Sequence, residues 1–240
     1  MSGHSKWSKI KHKKGAADAK KGAIFTKLGK AITVAARSGD KNPDMNFSLR
    51  LAIDKAKQAN MPKDNIEKAI ERAAGPGGDV VMEKIIYEGF GPGQVAFLID
   101  VLTDNKNRAA SEIKHIFSKN GGSLGGPGSV AWMFDLKGVI RINKNENNIP
   151  SEELELRLID AGADDIENKD EEMMAYFRTD SFEEKRKKIE EDGIIIDSSG
   201  IEYIAKENME IDEEKMQKIE NLCDELDENQ DVNEYFTNLV

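Results

Sequence analysis

The stretch Ile66–Thr103, IEKAIERAAGPGGDVVMEKIIYEGFGPGQVAFLIDVLT, changes its hydrophobic period part-way along. Before Gly75, the residues Ile66, Ala69, Ile70 and Ala73 follow the i, i+3, i+4, i+7 spacing that lines one face of a helix. After Gly78 the apolar residues fall in two strand-like runs, Lys84 to Glu88 and Val95 to Thr103. They flank the turn Gly89-Phe90-Gly91-Pro92-Gly93-Gln94. Gly75-Pro76-Gly77-Gly78 separates the two regimes and is the best domain boundary in the chain. Helices first and a sheet afterwards predict an α+β protein.

Upstream of this stretch the helical period persists. Ile24, Leu28, Ala31, Ile32 and Ala35 form one apolar face, with Lys27, Lys30 and Arg37 on a neighbouring flank within about 80° of one another. Gly39 is a stop signal and Asn42-Pro43 a new start. Leu49, Ala52, Ile53 and Ala56 form a second stripe, broken at Met61-Pro62. Residues 16–78 therefore read as a small bundle of three helices. Residues 1–15 lack periodicity and read as a flexible basic arm.

Downstream, a helix is expected from Arg108 to Asn120, then a strand from Val130 to Phe134. The next elements read as strand 138–142, helix 151–161 capped by Ser151 and ended by Gly162, strands 164–168 and 173–178, helix 181–191 and strand 194–204. That order, βαββαβ, is the ferredoxin-like split βαβ pattern. A last helix, 213–226 behind the cap Asp212, precedes a strand at 232–237. Counting elements places residues 135–206 as a ferredoxin-like domain inserted into a discontinuous α/β domain, 79–134 plus 207–240.

Charge is divided by position. Residues 1–41 carry eleven Lys/Arg against two acids, while residues 151–240 carry ten against thirty. The formal net charge of −10 thus hides a cationic front end. Apolar content of 38% and charged content of 33% fit a polar globular chain. The one cysteine, Cys223, excludes an internal disulfide and fits a reducing compartment. No apolar run approaches the roughly 20 residues of a membrane span. The start has no apolar core of a secretory signal, and its lack of Arg before Arg37 argues against a transit peptide. The expected location is the cytoplasm.

Residues for catalysis are scarce. Two of the three histidines, His4 and His12, lie in the arm where nothing orients them, and His115 reads as a helix-surface residue. Cys and His spacing offers no metal site, and no cofactor is expected. GFGPGQ at 89–94 has a strand after it rather than the helix a phosphate loop needs, so it reads as a hairpin turn. The acidic run 224–231 lacks the glycine of a calcium loop.

Binding chemistry is concentrated in the arm. Lys6, Lys9, Lys11, Lys13, Lys14, Lys20 and Lys21 surround Trp7, an arrangement that can hold phosphates and stack one base. Lys27, Lys30 and Arg37 extend that set along the first helix. A secondary candidate is Asn105, Lys106, Asn107 and Arg108 at a strand-to-helix junction, where polar side chains cap a helix and two cations could add a phosphate site. No base-reading pattern accompanies either set.

Several of these segments carry a family resemblance. Gly3-His4-Ser5-Lys6-Trp7, Ile10-Lys11, Phe25-Thr26-Lys27-Leu28, Ala35-Ala36-Arg37, Asn42-Pro43 with Asn46, and Ala52 to Lys57 closely resemble the YebC/PmpR family. So do Asn60-Met61-Pro62-Lys63, Tyr87-Glu88-Gly89, Gly91-Pro92-Gly93, Thr103-Asp104-Asn105 with Asn107-Arg108, and Ser129-Val130-Ala131. The resemblance implies a cytoplasmic, non-enzymatic protein of three domains around a cleft, one helical and two α/β. It implies nucleic acid as partner: DNA for members described as transcriptional regulators, ribosomal RNA for those that look like translation factors. A ribosome or other protein partner would then face the acidic domains. Gln94 stands where the family usually has Gly, and Ala31 where it usually has an acid.

Overall fold

The computed structural model describes residues 18–73 and 82–239, with backbone alone for 18–21. The arm, including Lys6, Trp7, Lys9, Lys11, Lys13 and Lys14, lies outside the described residues, as does the Gly75–Gly78 boundary. By contact the chain divides into two compact units. One comprises the residues up to Phe134 together with those from Ala205, and the other is Asp135–Ile204.

The first unit begins with three helices, α1 (Asp18–Arg37), α2 (Phe47–Gln58) and α3 (Lys63–Arg72). Ile32, Ala36, Leu49, Ile53, Ala56, Met61, Ile66 and Ala69 form their shared core. Ile24 is not in it and stays 42% exposed. Phe25 packs inward in its place, so the buried stripe of α1 is rotated by one residue at its start. Asn46 fixes the turn before α2. Its Oδ1 accepts from Leu49 N, and its Nδ2 donates to the carbonyls of Ala35 and Asp40 at 2.9 and 2.7 Å. A Cβ at Gly39 would come within 2.8 Å of that amide, so glycine is required there for close approach.

The sheet of this unit has the order β3-β1-β2-β8, from β1 (Glu83–Phe90), β2 (Ala96–Thr103), β3 (Ser123–Leu124) and β8 (Val232–Thr237). All three pairings are antiparallel. One face of β2, Phe97, Ile99 and Val101, packs with α4 (Lys106–Lys119) and α7 (Glu213–Glu228) through Ile113, Phe117, Ile219 and Leu222. On the other face lie Asp100 and its neighbour Glu234, which pairs with Lys55 of α2 at 2.8 Å.

The expected strand at Val130–Phe134 is not formed. Residues Ala131–Met133 make a 3-10 turn, and β3 takes the strand position beside β1. The cause is Glu88 on β1. Its buried carboxylate accepts from the N–H groups of Gly128, Val130 and Ala131 at 2.6–2.8 Å, so those donors cannot join a ladder.

The second unit contains β4 (Phe134–Asn143), α5 (Ser151–Asp160), β5 (Asp165–Asn168), β6 (Glu172–Phe177), α6 (Phe182–Glu191) and β7 (Ser198–Ala205), in the sheet order β5-β6-β4-β7. This is the strand order of a ferredoxin-like sheet. β7 begins four residues later than the period suggested. Pro150, not Ser151, occupies the cap of α5, and the Ser151 hydroxyl faces Asn168 instead. Phe182 lies on Gly138 of β4, where an added Cβ would sit 2.2 Å from the ring.

Candidate nucleic-acid interface

The expected cations of α1 are reached from the C-terminal end of α7. That helix has no basic residue in its last turn, although its carbonyls carry the negative end of the helix dipole and Asp224, Glu225, Asp227 and Glu228 crowd the same region. Lysines from α1 supply the missing charge. Lys27 Nζ donates to the carbonyls of Leu226 and Asp227 at 3.3 and 2.6 Å. Lys30 Nζ donates to the carbonyl of Gln230 and to Asp231 Oδ1, both at 3.0 Å. Both therefore dock the helical bundle onto the sheet. Lys20 and Lys21 lie in the first turn of the helix, at the end that meets the arm. Arg37 is exposed in the last turn, at the opposite end.

Asp231 joins this contact to the secondary candidate segment. Its side chain is 4% exposed. Oδ2 accepts from the Thr103 hydroxyl at 2.9 Å and from Arg108 at 2.6 Å. Burial pushes the Asp231 carboxyl up, but the bonds from Arg108, Lys30 and Thr103 outweigh it and hold the group below the usual carboxylate range. Arg108 also donates to Asp104 at 2.8 Å, and these two acids raise its pKa. Asn105 caps α4 by accepting from Arg108 N at 3.0 Å, while its own N–H donates to the Thr103 hydroxyl. Lys106 pairs with Glu83, and Asn107 is exposed. The segment is thus built as a helix cap and an ionic bridge, with both cations facing carboxylates.

Sequence reasoning missed two features. Glu88 was visible only as part of a motif; its role depends on a strand face that a sequence period does not identify. Trp132, 67% exposed, follows the loop that Glu88 holds. Burial pushes the Glu88 carboxyl up, yet three backbone N–H donors bring it below its ordinary value. Among the described residues no group of His, Cys, Asp and Glu is arranged to hold a metal ion. No described helix is long and apolar enough to cross a membrane.

The family described as "TACO1/YebC second and third domain" matches residues 82–239, and "TACO1/YebC protein N-terminal domain" matches residues 5–76. The chain belongs to the TACO1/YebC family. A relative from Halothermothrix orenii is 46% identical over 239 residues, covering 99% of this chain and 94% of its own. Another from Bacillus licheniformis is 48% identical and covers both chains fully, at 100% each. Both carry the name "Probable transcriptional regulatory protein". A crystal structure of a conserved hypothetical protein from Aquifex aeolicus superposes with a TM-score of 0.83 at 39% identity, covering 96% of this chain and 95% of that one. The family's N-terminal domain corresponds to α1–α3, which here share one compact unit with the sheet that follows.

Proposed function

We propose that this TACO1/YebC protein is a non-enzymatic, cytoplasmic regulator of gene expression that binds DNA through its N-terminal lysines. The observation that carries this reading is the charge distribution: eleven cations against two acids in residues 1–41, on a chain of net −10. Seven of those lysines lie within residues 6–21 along with Trp7, five ahead of α1 and two in its first turn, and α1 is anchored to the rest of its unit by Lys27 and Lys30. Lysines bind phosphate without reading sequence, so target choice would come from other contacts. The names of the relatives support a regulatory role.

A second reading is a ribosome-associated factor whose arm enters ribosomal RNA while the acidic regions face protein. One observation favours it. Lys27 and Lys30, the central cations of α1, face the end of α7, which removes them from a helix that would otherwise be the one to enter a DNA groove. Crosslinking from whole cells separates the two readings. Peaks on DNA upstream of genes are the expected result, and peaks confined to ribosomal RNA would replace the first reading with the second.

A further inference from the structure

We infer that Trp132 is a stacking platform for an unpaired nucleobase, a contact separate from the phosphate-binding arm. This rests on the nucleic-acid reading above and names a second contact for it.

Trp132 is 67% exposed, and an indole in water presents a large, rigid face with one polar tip, the kind of group that serves at interfaces. Its surroundings are held firmly. The Trp132 carbonyl accepts from Lys206 Nζ at 2.9 Å, and the next carbonyl, that of Met133, accepts from Lys206 N at 2.9 Å. Met133 N donates to the Val130 carbonyl at 2.9 Å. Just upstream, Glu88 binds the N–H groups of Gly128, Val130 and Ala131. Within the loop the Ser129 side chain packs directly on Gly125, where there is no room for a Cβ. The indole itself is oriented by its one donor, since Nε1 donates to the Ser129 carbonyl at 3.2 Å. An exposed ring on so fixed a turn loses little freedom when a flat ligand covers it.

The loop chemistry selects the class of ligand. Backbone N–H groups of a glycine-rich loop would ordinarily suit a phosphate. Here Glu88 already takes three of them, so the loop has been supplied with its anion by the chain itself. With Nε1 also bonded, the exposed indole offers a ligand its ring rather than a donor. Bases stack on such a ring irrespective of sequence, provided they are unpaired.

The test uses the full chain carrying W7F, so that of the two tryptophans only Trp132 fluoresces. Short thymidine and uridine oligomers, an abasic oligomer of equal length and a duplex are titrated at several salt concentrations. Both base-bearing single strands should quench Trp132 saturably, and their relative affinities report whether the source is DNA or RNA. The abasic strand and the duplex should bind with little quenching. Adding W132A, read by anisotropy of a labelled strand, should weaken single-strand binding by about 5- to 150-fold. W132F should restore most of it, to within about threefold. The salt slope should stay unchanged in both, because stacking releases no counterions. Equal quenching by the abasic strand, or unaltered affinity in W132A with its melting midpoint preserved, would overturn the inference while leaving the arm in place. The second of these outcomes would point to a protein as the partner of Trp132. Failure of the W7F chain and the unmodified chain to bind any of the four nucleic acids would overturn the functional reading itself.

Discussion

Asp231 gathers residues that lie far apart in sequence: Lys30 from α1, Arg108 from α4 and Thr103 from the end of β2. Asp231→Asn keeps the shape but removes the charge from these bonds. It should lower stability by about 1–2 kcal/mol, read by urea denaturation. The sign of its pH dependence follows from the depressed carboxyl. Its contribution is fully present above the unfolded value of about 3.9 and is lost as pH falls through the lower folded value. The gap between wild type and variant should therefore be flat from about pH 5 to 8 and close in stronger acid. At the same scale, Gln94 sits at φ 66°, in the left-handed region, directly after Gly93 at φ 73°. Gln94→Gly should relieve that strain and raise stability by up to about 1 kcal/mol, seen as a higher denaturation midpoint. The sequence marked Gln94 as a departure from the family, but only the backbone angle gives the physical reason. It also marked Arg108. Of the acids that bind Arg108, Asp104 is four residues away, but Asp231 is 123 residues away, beyond the reach of any local pattern.

Among the elements, those with a clean period were legible. The stripes of α2 and α3, the hairpin β1–β2 and the βαββαβ order were all readable, because each element's own residues carry its signal. The strand expected at Val130–Phe134 was not, since its donors are claimed by Glu88 from another strand. Nor was the join between β4 and α6 visible as a contact. Gly138 interrupts an apolar strand, and its lack of a side chain makes room for Phe182. Gly138→Ala should force the ring aside and cost about 1–3 kcal/mol, as overpacking of a filled core does. A melting midpoint equal to that of wild type would show that α6 can slide without penalty.

For the whole molecule, the sequence's separation of charge becomes a division of labour. The candidate site was only partly legible for that reason. Composition marks where cations are abundant, but it does not show which of them are engaged by the chain's own acids. Lys27→Ala with Lys30→Ala should loosen the bundle from the sheet and lower stability, yet barely alter the salt dependence of nucleic-acid binding. Deleting Ser2 to Gly15 should do the opposite. With about 5–7 phosphates neutralised by the arm, the slope of log K against log salt should fall by roughly 4–6 units, with the melting midpoint kept. An unchanged slope in the deletion would remove the arm from the mechanism.

The position of β8 sets an order of events during synthesis. It lies beside β2 yet is made from residues 232–237, after all of the ferredoxin-like segment has been translated. Residues 135–204 form a contiguous stretch and can collapse while still tethered to the translating machinery, whereas the earlier hairpin must wait with one edge unpaired. The lysines of α1 likewise find their carbonyl partners only once α7 has emerged. A chain interrupted before Val232 would thus hold a finished central lobe, an open β2 edge and an undocked cationic helix, a form suited to aggregation or promiscuous capture of polyanions.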